Sequence, residues 1–370
     1  MNEPPAGARP ADLSAVVCLA DFEPLARAAM DPAAFDYVAG GAGDEATLAA
    51  NDDAWRRRTV RPRVLVDVSV VDPSTTMLGT PTALPLAIAP MAAHGLAHPE
   101  AEIATARAAG AAGVPFTLST MATCSIEDVA AAAPGATRWF QLYVQADPGR
   151  TRELVGRAAA AGYGAIVLTA DLPRLGYRDR DRRSGFTLAV PHGNFATVPG
   201  GATHAGGVHR DGFAQLDEQA ATGLSWSDLA TIRGWSDLPL VIKGILTGED
   251  ADRAVDHGVT TIAVSNHGAR QLDRSPVALE VLEEVVEAVD GRAEIWVDGG
   301  VRRGLDIAIA RALGAQGVLL GRPIMWALAA GGQAGVERAL AILREEFEIA
   351  MALLGTPTPA SITRAHVGPR

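Results

Sequence analysis

Thr261-Ile-Ala-Val-Ser-Asn-His267 joins a short apolar, β-branched run to a polar end. A run that is apolar on both faces suits a parallel strand buried between two layers, because neither face meets water. Seven further runs of the same kind lie on either side of it: Leu84–Pro90, Pro115–Thr120, Trp139–Val144, Ala165–Asp171, Leu238–Gly244, Glu294–Gly299 and Gly317–Arg322. Alanine-rich helical stretches separate them, and that alternation is the pattern of βα units around a parallel sheet. Eight such units close a TIM barrel, and 370 residues suffice for one barrel with additions.

The expected architecture is therefore α/β, a (β/α)8 barrel with an N-terminal helical cap and a long loop after strand four. Residues 1–370 read as a single domain. Residues 1–82 form the cap, with helices over Phe22–Met30 and Pro32–Gly40, and residues 83–370 form the barrel. Helix starts agree with this order. Asp147 before Pro148 fits an N-cap followed by a proline, Ser125 precedes Glu127 and Asp128, and Thr247 with Asp250 resembles a capping box. The Gly- and His-rich segment Gly185–Gly223 interrupts the rhythm before a helix over Ser225–Arg233, and its length suits an active-site lid or a disordered segment.

Composition narrows the function. With 48% hydrophobic and 20% charged residues the chain has material for a large core and no disordered block. A formal charge of -11 opposes binding to a phosphate backbone, so no nucleic-acid partner is expected. The first twenty residues show no basic region followed by an apolar run, and no segment is apolar for the roughly 18 residues of a membrane span. The expectation is a cytoplasmic protein with no membrane association. Cys18 and Cys124 stand outside any metal-ligand spacing, which predicts packing roles and no metal site.

Chemistry in TIM barrels gathers at the C-terminal strand ends. Here those ends carry Gln141 and Tyr143 on strand three, Thr169 and Asp171 on four, Lys243 on five, Ser265 and His267 on six, Asp298 on seven, and Gly321 and Arg322 on eight. Strands four and six share a side-chain layer, so Asp171 and His267 are candidates for an orienting carboxylate and a general base. The plainer reading, a hydrogen-bonded core histidine, does not account for the polar run Ser-Asn-His-Gly-Ala-Arg-Gln around it. Arg178 and Arg270 lie on the loops after strands four and six, where bidentate guanidinium groups suit a carboxylate substrate. For Arg178 the alternative is a local pair with Asp179 or Asp181. Lys243 on a buried strand calls for an anionic partner. The glycine-rich turns at Asp298–Gly304 and Leu320–Pro323, with Arg302 and Arg322 beside them, imply a bound phosphate group. No G-x-G-x-x-G follows an early strand, which argues against a Rossmann dinucleotide site.

Val264-Ser-Asn-His-Gly-Ala-Arg-Gln-Leu-Asp273 and Asp298-Gly-Gly-Val-Arg-Arg-Gly304 resemble the signatures of the FMN-dependent alpha-hydroxy acid oxidase and dehydrogenase family. The likeness spans nearly the whole chain, including Phe35-Asp-Tyr37, Arg61-Pro-Arg63, Ala97-His-Pro-Glu100, Gln141-Leu-Tyr143 and Thr169-Ala-Asp171. It implies FMN as cofactor, with His267 as base, Asp171 as its partner and Tyr143 facing the substrate hydroxyl. Arg178, Arg270 and Tyr37 would bind the substrate carboxylate. The flavin would be held by Ala92, Ser119, Gln141, Thr169, Lys243 and Ser265, and its ribityl phosphate by Asp298, Gly300, Arg302, Gly321 and Arg322.

Ala89-Pro-Met-Ala-Ala-His-Gly-Leu-Ala-His98 and Arg138-Trp-Phe-Gln141 are most similar to the L-lactate oxidase pattern, so a lactate-like L-2-hydroxy acid is the leading substrate. Met91 and Met121 depart from relatives that carry threonine and an aromatic residue there, and Met121 in the substrate pocket leaves longer-chain or mandelate-type acids open. Ala92 is similar to the family's oxidases, which implies dioxygen as acceptor and hydrogen peroxide as product. The alternative is a dehydrogenase with another acceptor. The residues before the barrel show no haem-binding pattern, so the flavocytochrome arrangement is not expected. An FMN barrel that isomerises a phosphorylated substrate would share the phosphate turns but not the paired arginines and base. The resemblance also implies a homotetramer.

Overall fold

The structure is a computed structural model, and it describes residues 13–188, 190–195 and 221–368. Eight parallel strands close on themselves: β1 (Leu86–Met91), β2 (Phe116–Leu118), β3 (Arg138–Leu142), β4 (Ile166–Thr169), β5 (Leu240–Ile245), β6 (Thr261–Val264), β7 (Glu294–Val297) and β8 (Gly317–Leu320). Each pairs with its neighbours in sequence, and β8 returns to β1 with Leu319 opposite Ala87. All eight apolar runs of the sequence are strands of this barrel.

The ladders are shorter than the apolar runs. β5 begins at Leu240 rather than Leu238 because Pro239 has no N–H to donate. β6 ends at Val264 although the run continues to His267. Ser265 still donates its N–H to the Ile245 carbonyl, but His267 takes a φ of 58° and the chain leaves the extended conformation. The polar ends therefore divide: Gln141, Thr169 and Lys243 stay within their strands, whereas Tyr143, Asp171, Ser265, His267 and Asp298 follow the last strand residue.

Inside the barrel, Trp139 of β3 and Trp296 of β7 stack face to face, with ring centroids 4.7 Å apart and planes at 9°. Ala87, Ala165 and Ala263 are the small residues that leave room for them in the same cluster. A two-stranded hairpin, Thr75–Met77 with Thr80–Thr82, adds the fully buried Met77 to that cluster. This packing fills the interior below the cavity, so the barrel is a core and not a pore.

Three cap helices precede the hairpin: α1 (Phe22–Ala29), α2 (Pro32–Ala39) and α3 (Ala46–Arg56). Asp31 caps α2 by accepting from the N–H groups of Ala33 and Ala34, with Pro32 opening the helix. The caps expected further on are present: Asp147 accepts from Gly149, and Ser125 accepts from Asp128. Thr247 accepts from Asp250, which supplies the forward half of the box. The helix expected over Ser225–Arg233 spans Asp228–Arg233, since the Asp228 carboxylate accepts from the Ser225 N–H and hydroxyl and holds those residues as a cap. Helix Ala101–Ala112 packs on the long helix Arg322–Leu354, which is broken by non-helical backbone at Gly331 and Gly332. Most of the proposed lid, residues 185–223, lies outside the described residues. No helix among the described residues is long and apolar enough to cross a membrane.

Trp296→Ala removes one face of the tryptophan stack from a site with no exposure. It is expected to cost about 3–5 kcal/mol in chemical denaturation and to leave the strand ends in place, so ligand affinity at the barrel mouth should be unchanged. A loss below about 1 kcal/mol would show that the stack carries little of the core's stability.

Candidate active site

A cavity of about 1130 Å³, counting its open mouth, is lined by residues from the C-terminal strand ends and by Tyr37 and Val38 of α2. His267 lines it from the loop after β6. Its Nδ1 lies 2.9 Å from Asp171 Oδ1 on the loop after β4, which leaves Nε2 for the cavity. The approach needs Gly244, because a Cβ there would fall 2.6 Å from the Asp171 Cβ and the backbone has a φ of 107°. Burial holds the imidazole pKa below its ordinary value, with Lys243 and Arg178 adding to the effect and Asp171 opposing it. Burial opposes ionisation of Asp171, but the charge and hydrogen bond of His267, together with Lys243, hold its pKa below the usual carboxylate range. At neutral pH the pair is a carboxylate orienting a neutral imidazole.

Four arginines and a lysine share the same cavity wall: Arg178, Arg270, Arg302, Arg322 and Lys243. Burial and then Arg270 press the Arg178 pKa down to about 10, and burial, Arg270 and Arg302 press that of Arg322 down to about 9. Backbone carbonyls absorb part of the charge. Arg270 donates to Tyr37 O (2.6 Å) and Gly40 O (3.0 Å), and Arg322 donates to Val38 O (3.0 Å), Gly40 O (2.8 Å) and Gly268 O (2.8 Å). Arg302 pairs with Asp52 at 3.1 Å and lies over the Trp326 ring. Lys243 Nζ reaches Ser265 Oγ at 2.7 Å and Asp298 Oδ2 at 3.2 Å. Arg178 does approach Asp181, as the plainer reading allowed, but only at 3.9 Å, and it still lines the cavity. So much buried positive charge calls for anionic ligands.

The groups expected to meet a cofactor are arranged in two layers. Ala92, Ser119, Thr169, Lys243, Asp298, Gly300, Arg302, Gly321 and Arg322 line the cavity itself. Gln141 and Ser265 do not line it. Gln141 lies behind, accepting from Ser119 Oγ and Thr120 N and donating to Thr169 Oγ1, while Ser265 is fully buried beneath Lys243 and accepts from His267 N. Asp298 Oδ1 is buried and has no partner in the protein, which fits a hydroxyl-bearing ligand. Gly299 and Gly300 take φ of 85° and 83°, and a Cβ on Gly300 would meet the Asn51 carbonyl at 2.2 Å, so the turn passes flush against α3.

Met121, Leu172, Leu175 and the ring of Tyr143 give the cavity an apolar stretch. Burial, and then the charge of Asp171, raises the Tyr143 pKa above that of an ordinary phenol, which keeps the hydroxyl protonated. Tyr37 stacks on Phe186 at 4.8 Å, and the Arg270 guanidinium lies 4.7 Å from its ring centre. Both cysteines are unpaired, and burial pushes the Cys124 thiol up to about 12.

Two contributors escaped the sequence. Asn51 of α3 and Asn266 exchange amide hydrogen bonds at 3.1 and 2.8 Å, fixing the residue before His267 to the cap. The carbonyls of Val38 and Gly40 are backbone groups that no side-chain pattern announces. Spacing carries no trace of either contact, since the partners are more than two hundred residues apart.

Comparison with known proteins agrees with this geometry. Residues 26–369 match the family model described as FMN-dependent dehydrogenase. The chain is 49% identical over 349 residues to an L-lactate oxidase of a Nostoc species, covering 93% of this chain and 95% of that one. It is 46% identical over 352 residues to the glycolate oxidase of Spinacia oleracea, with 94% of each covered. Among solved structures, mandelate oxidase with (S)-4-hydroxymandelic acid superposes with a TM-score of 0.89 at 45% identity, covering 95% of this chain and 98% of that one.

The crowded cations generate a direct expectation. Inorganic phosphate at about a hundredfold excess over its dissociation constant should stabilise protein stripped of small molecules by about 2.7 kcal/mol. In Arg322→Met the thermal shift should largely vanish. An equal shift in both proteins would place the anion elsewhere.

Proposed function

The chain belongs to the FMN-dependent dehydrogenase family, and from that premise we propose that it oxidises a small, lactate-like L-2-hydroxy acid to the 2-oxo acid, with dioxygen as final acceptor and hydrogen peroxide as product. The observation that carries the reading is the His267–Asp171 pair beside Arg178 and Arg270 in one cavity. Bound FMN supplies the two-electron acceptor. The residues that would hold it are Ala92, Ser119, Thr169, Lys243, Asp298, Gly300, Arg302, Gly321 and Arg322, with Gln141 and Ser265 orienting Thr169 and Lys243 from behind. The cationic wall and the partnerless Asp298 oxygen fit its phosphate and hydroxyl groups.

Arg178 and Arg270 receive the substrate carboxylate, with Tyr37 beside them. Tyr143 donates to the substrate hydroxyl. His267 Nε2 accepts the proton that the substrate releases, and Asp171 stabilises the imidazolium so formed. Lys243 places positive charge where negative charge gathers on the acceptor. The flexible Met121, packed with Leu172 and Leu175, supports a second reading in which the acid oxidised is longer-chain or mandelate-type; the acceptor in that reading is one other than dioxygen.

We further propose a single domain of residues 1–370, with 1–82 as its cap and 185–223 as a lid, in a cytoplasmic homotetramer. One apolar core runs from Val16 to Val367, which supports the single domain, and the exposed Val64, Leu65 and Val70 support assembly. Light scattering that returned a monomer mass would remove the tetramer.

Anaerobic L-lactate should reduce the flavin of the wild-type enzyme, and under air one peroxide should form per 2-oxo acid. Dye reduction without peroxide would favour the dehydrogenase. His267→Ala should keep its FMN but lose at least about 10²-fold in flavin reduction; unaltered turnover removes His267 from the role. Because the base must be neutral and its pKa is depressed, kcat/KM should rise with pH along a limb centred below the ordinary histidine value of 6.5. A limb centred above 7 would contradict the assignment.

A further inference from the structure

Gln271 follows Arg270 on the loop that carries His267, and no role above uses it. Its side-chain amide spends all of its hydrogen-bonding capacity on the loop after β4. Oε1 accepts from Gly176 N at 3.2 Å and from Arg178 Nη2 at 3.4 Å. Nε2 donates to the carbonyls of Asp171 at 3.1 Å and Arg174 at 2.9 Å. The two loops touch closely, since a Cβ on Gly176 would lie 2.3 Å from the Arg270 carbonyl and 2.5 Å from that of Gln271. A further bond joins them, from Arg178 Nε to Arg270 O at 3.1 Å.

Arg178 and Arg270 repel one another, so something must hold their loops together before a carboxylate arrives. We infer that Gln271 is a positioning residue for substrate binding: it clasps the loop after β4 to the loop after β6, presenting the two guanidinium groups as one carboxylate receptor. The clasp reaches Asp171 only at its backbone carbonyl, and the Asp171 carboxylate keeps its separate bond to His267. A neutral amide suits the task. Glutamate would place a competing carboxylate against Arg178 and turn lone pairs toward the Asp171 and Arg174 carbonyls, and methionine would fill the space without bonding. This inference rests on the functional reading above.

The test uses the FMN-loaded enzyme with Gln271→Glu, Gln271→Met and Gly176→Ala, the last of which forces the loops apart while keeping the glutamine side chain. FMN content and the flavin reduction rate at saturating L-lactate should stay within about threefold of wild type. KM, and the dissociation constant of pyruvate read from flavin absorbance, should rise about 10- to 100-fold, as expected for a lost hydrogen-bond network at a charged group. Gln271→Glu should be the weakest binder, and Gly176→Ala should reproduce the split. Unchanged pyruvate affinity in all three variants overturns the inference while leaving the functional reading intact. So does a fall in the limiting reduction rate as large as the loss of affinity, or a loss of FMN, because either marks a general structural role. A wild-type enzyme that neither oxidises a 2-hydroxy acid nor binds pyruvate removes the functional reading and this inference together.

Discussion

Arg178, Arg270, Arg302, Arg322 and Lys243 face one another across a single cavity in a chain whose formal charge is -11. Like charges held inside a protein repel more strongly than they do in water, and each has given up part of its hydration. The fold answers with dipoles more than with counter-charges. Carbonyls from Tyr37, Val38, Gly40 and Gly268 receive the guanidinium protons of Arg270 and Arg322. Among the described residues, Asp52 and Asp298 supply the carboxylates within 3.2 Å, one to Arg302 and one to Lys243, and Asp181 stands farther from Arg178 at 3.9 Å. The cap helices therefore do more than cover the barrel. They solvate the cations, and they leave a surplus of positive charge that an anionic ligand completes.

The same cations act on the proton acceptor. A histidine paired with a carboxylate would ordinarily gain basicity, yet burial, Lys243 and Arg178 together outweigh Asp171 and keep the His267 imidazole neutral. Neutrality before reaction and stabilisation after it come from different neighbours. The cationic wall disfavours the imidazolium in the resting site, and Asp171 stands 2.9 Å away, where the proposed function would have it stabilise the imidazolium once the proton has moved. In the proposed function, a substrate carboxylate between Arg178 and Arg270 would cancel part of the positive field and so raise the basicity of His267.

The barrel was legible because its strands are buried on both faces, and such runs are hard to write in sequence any other way. Their ends were less so. The run Thr261–His267 continues the apolar pattern past the point where the backbone turns away, and hydrophobicity does not register a φ of 58° at His267. Side chains aimed into the cavity, such as Lys243 and Arg322, were legible from their position at strand ends. Gln141 and Ser265 carried the same signal but lie one layer behind, holding Thr169 and Lys243. A strand-end position fixes which end of the barrel a residue serves, whereas its depth depends on the size of its neighbours. Contacts made by backbone carbonyls, and the Asn51–Asn266 exchange across 215 residues, leave no periodic trace.

The two ends of the cavity differ in how tightly they are specified, and this bears on which acid the enzyme selects. Around Arg178 and Arg270 the two loops are joined at hydrogen-bond distance, through Gln271 and through the Arg270 carbonyl. In the proposed function that region would recognise a group shared by all 2-hydroxy acids, contributing affinity without discriminating among them. Discrimination falls to the wall of Met121, Leu172 and Leu175, where no hydrogen bond is demanded of the substrate side chain. One methylene in such a pocket is worth only about 1–3 kcal/mol, and unbranched methionine adjusts its rotamer at little cost. A rigid charged receptor in one cavity with a soft apolar wall would make a site strict about the reacting carbon and permissive about what hangs from it.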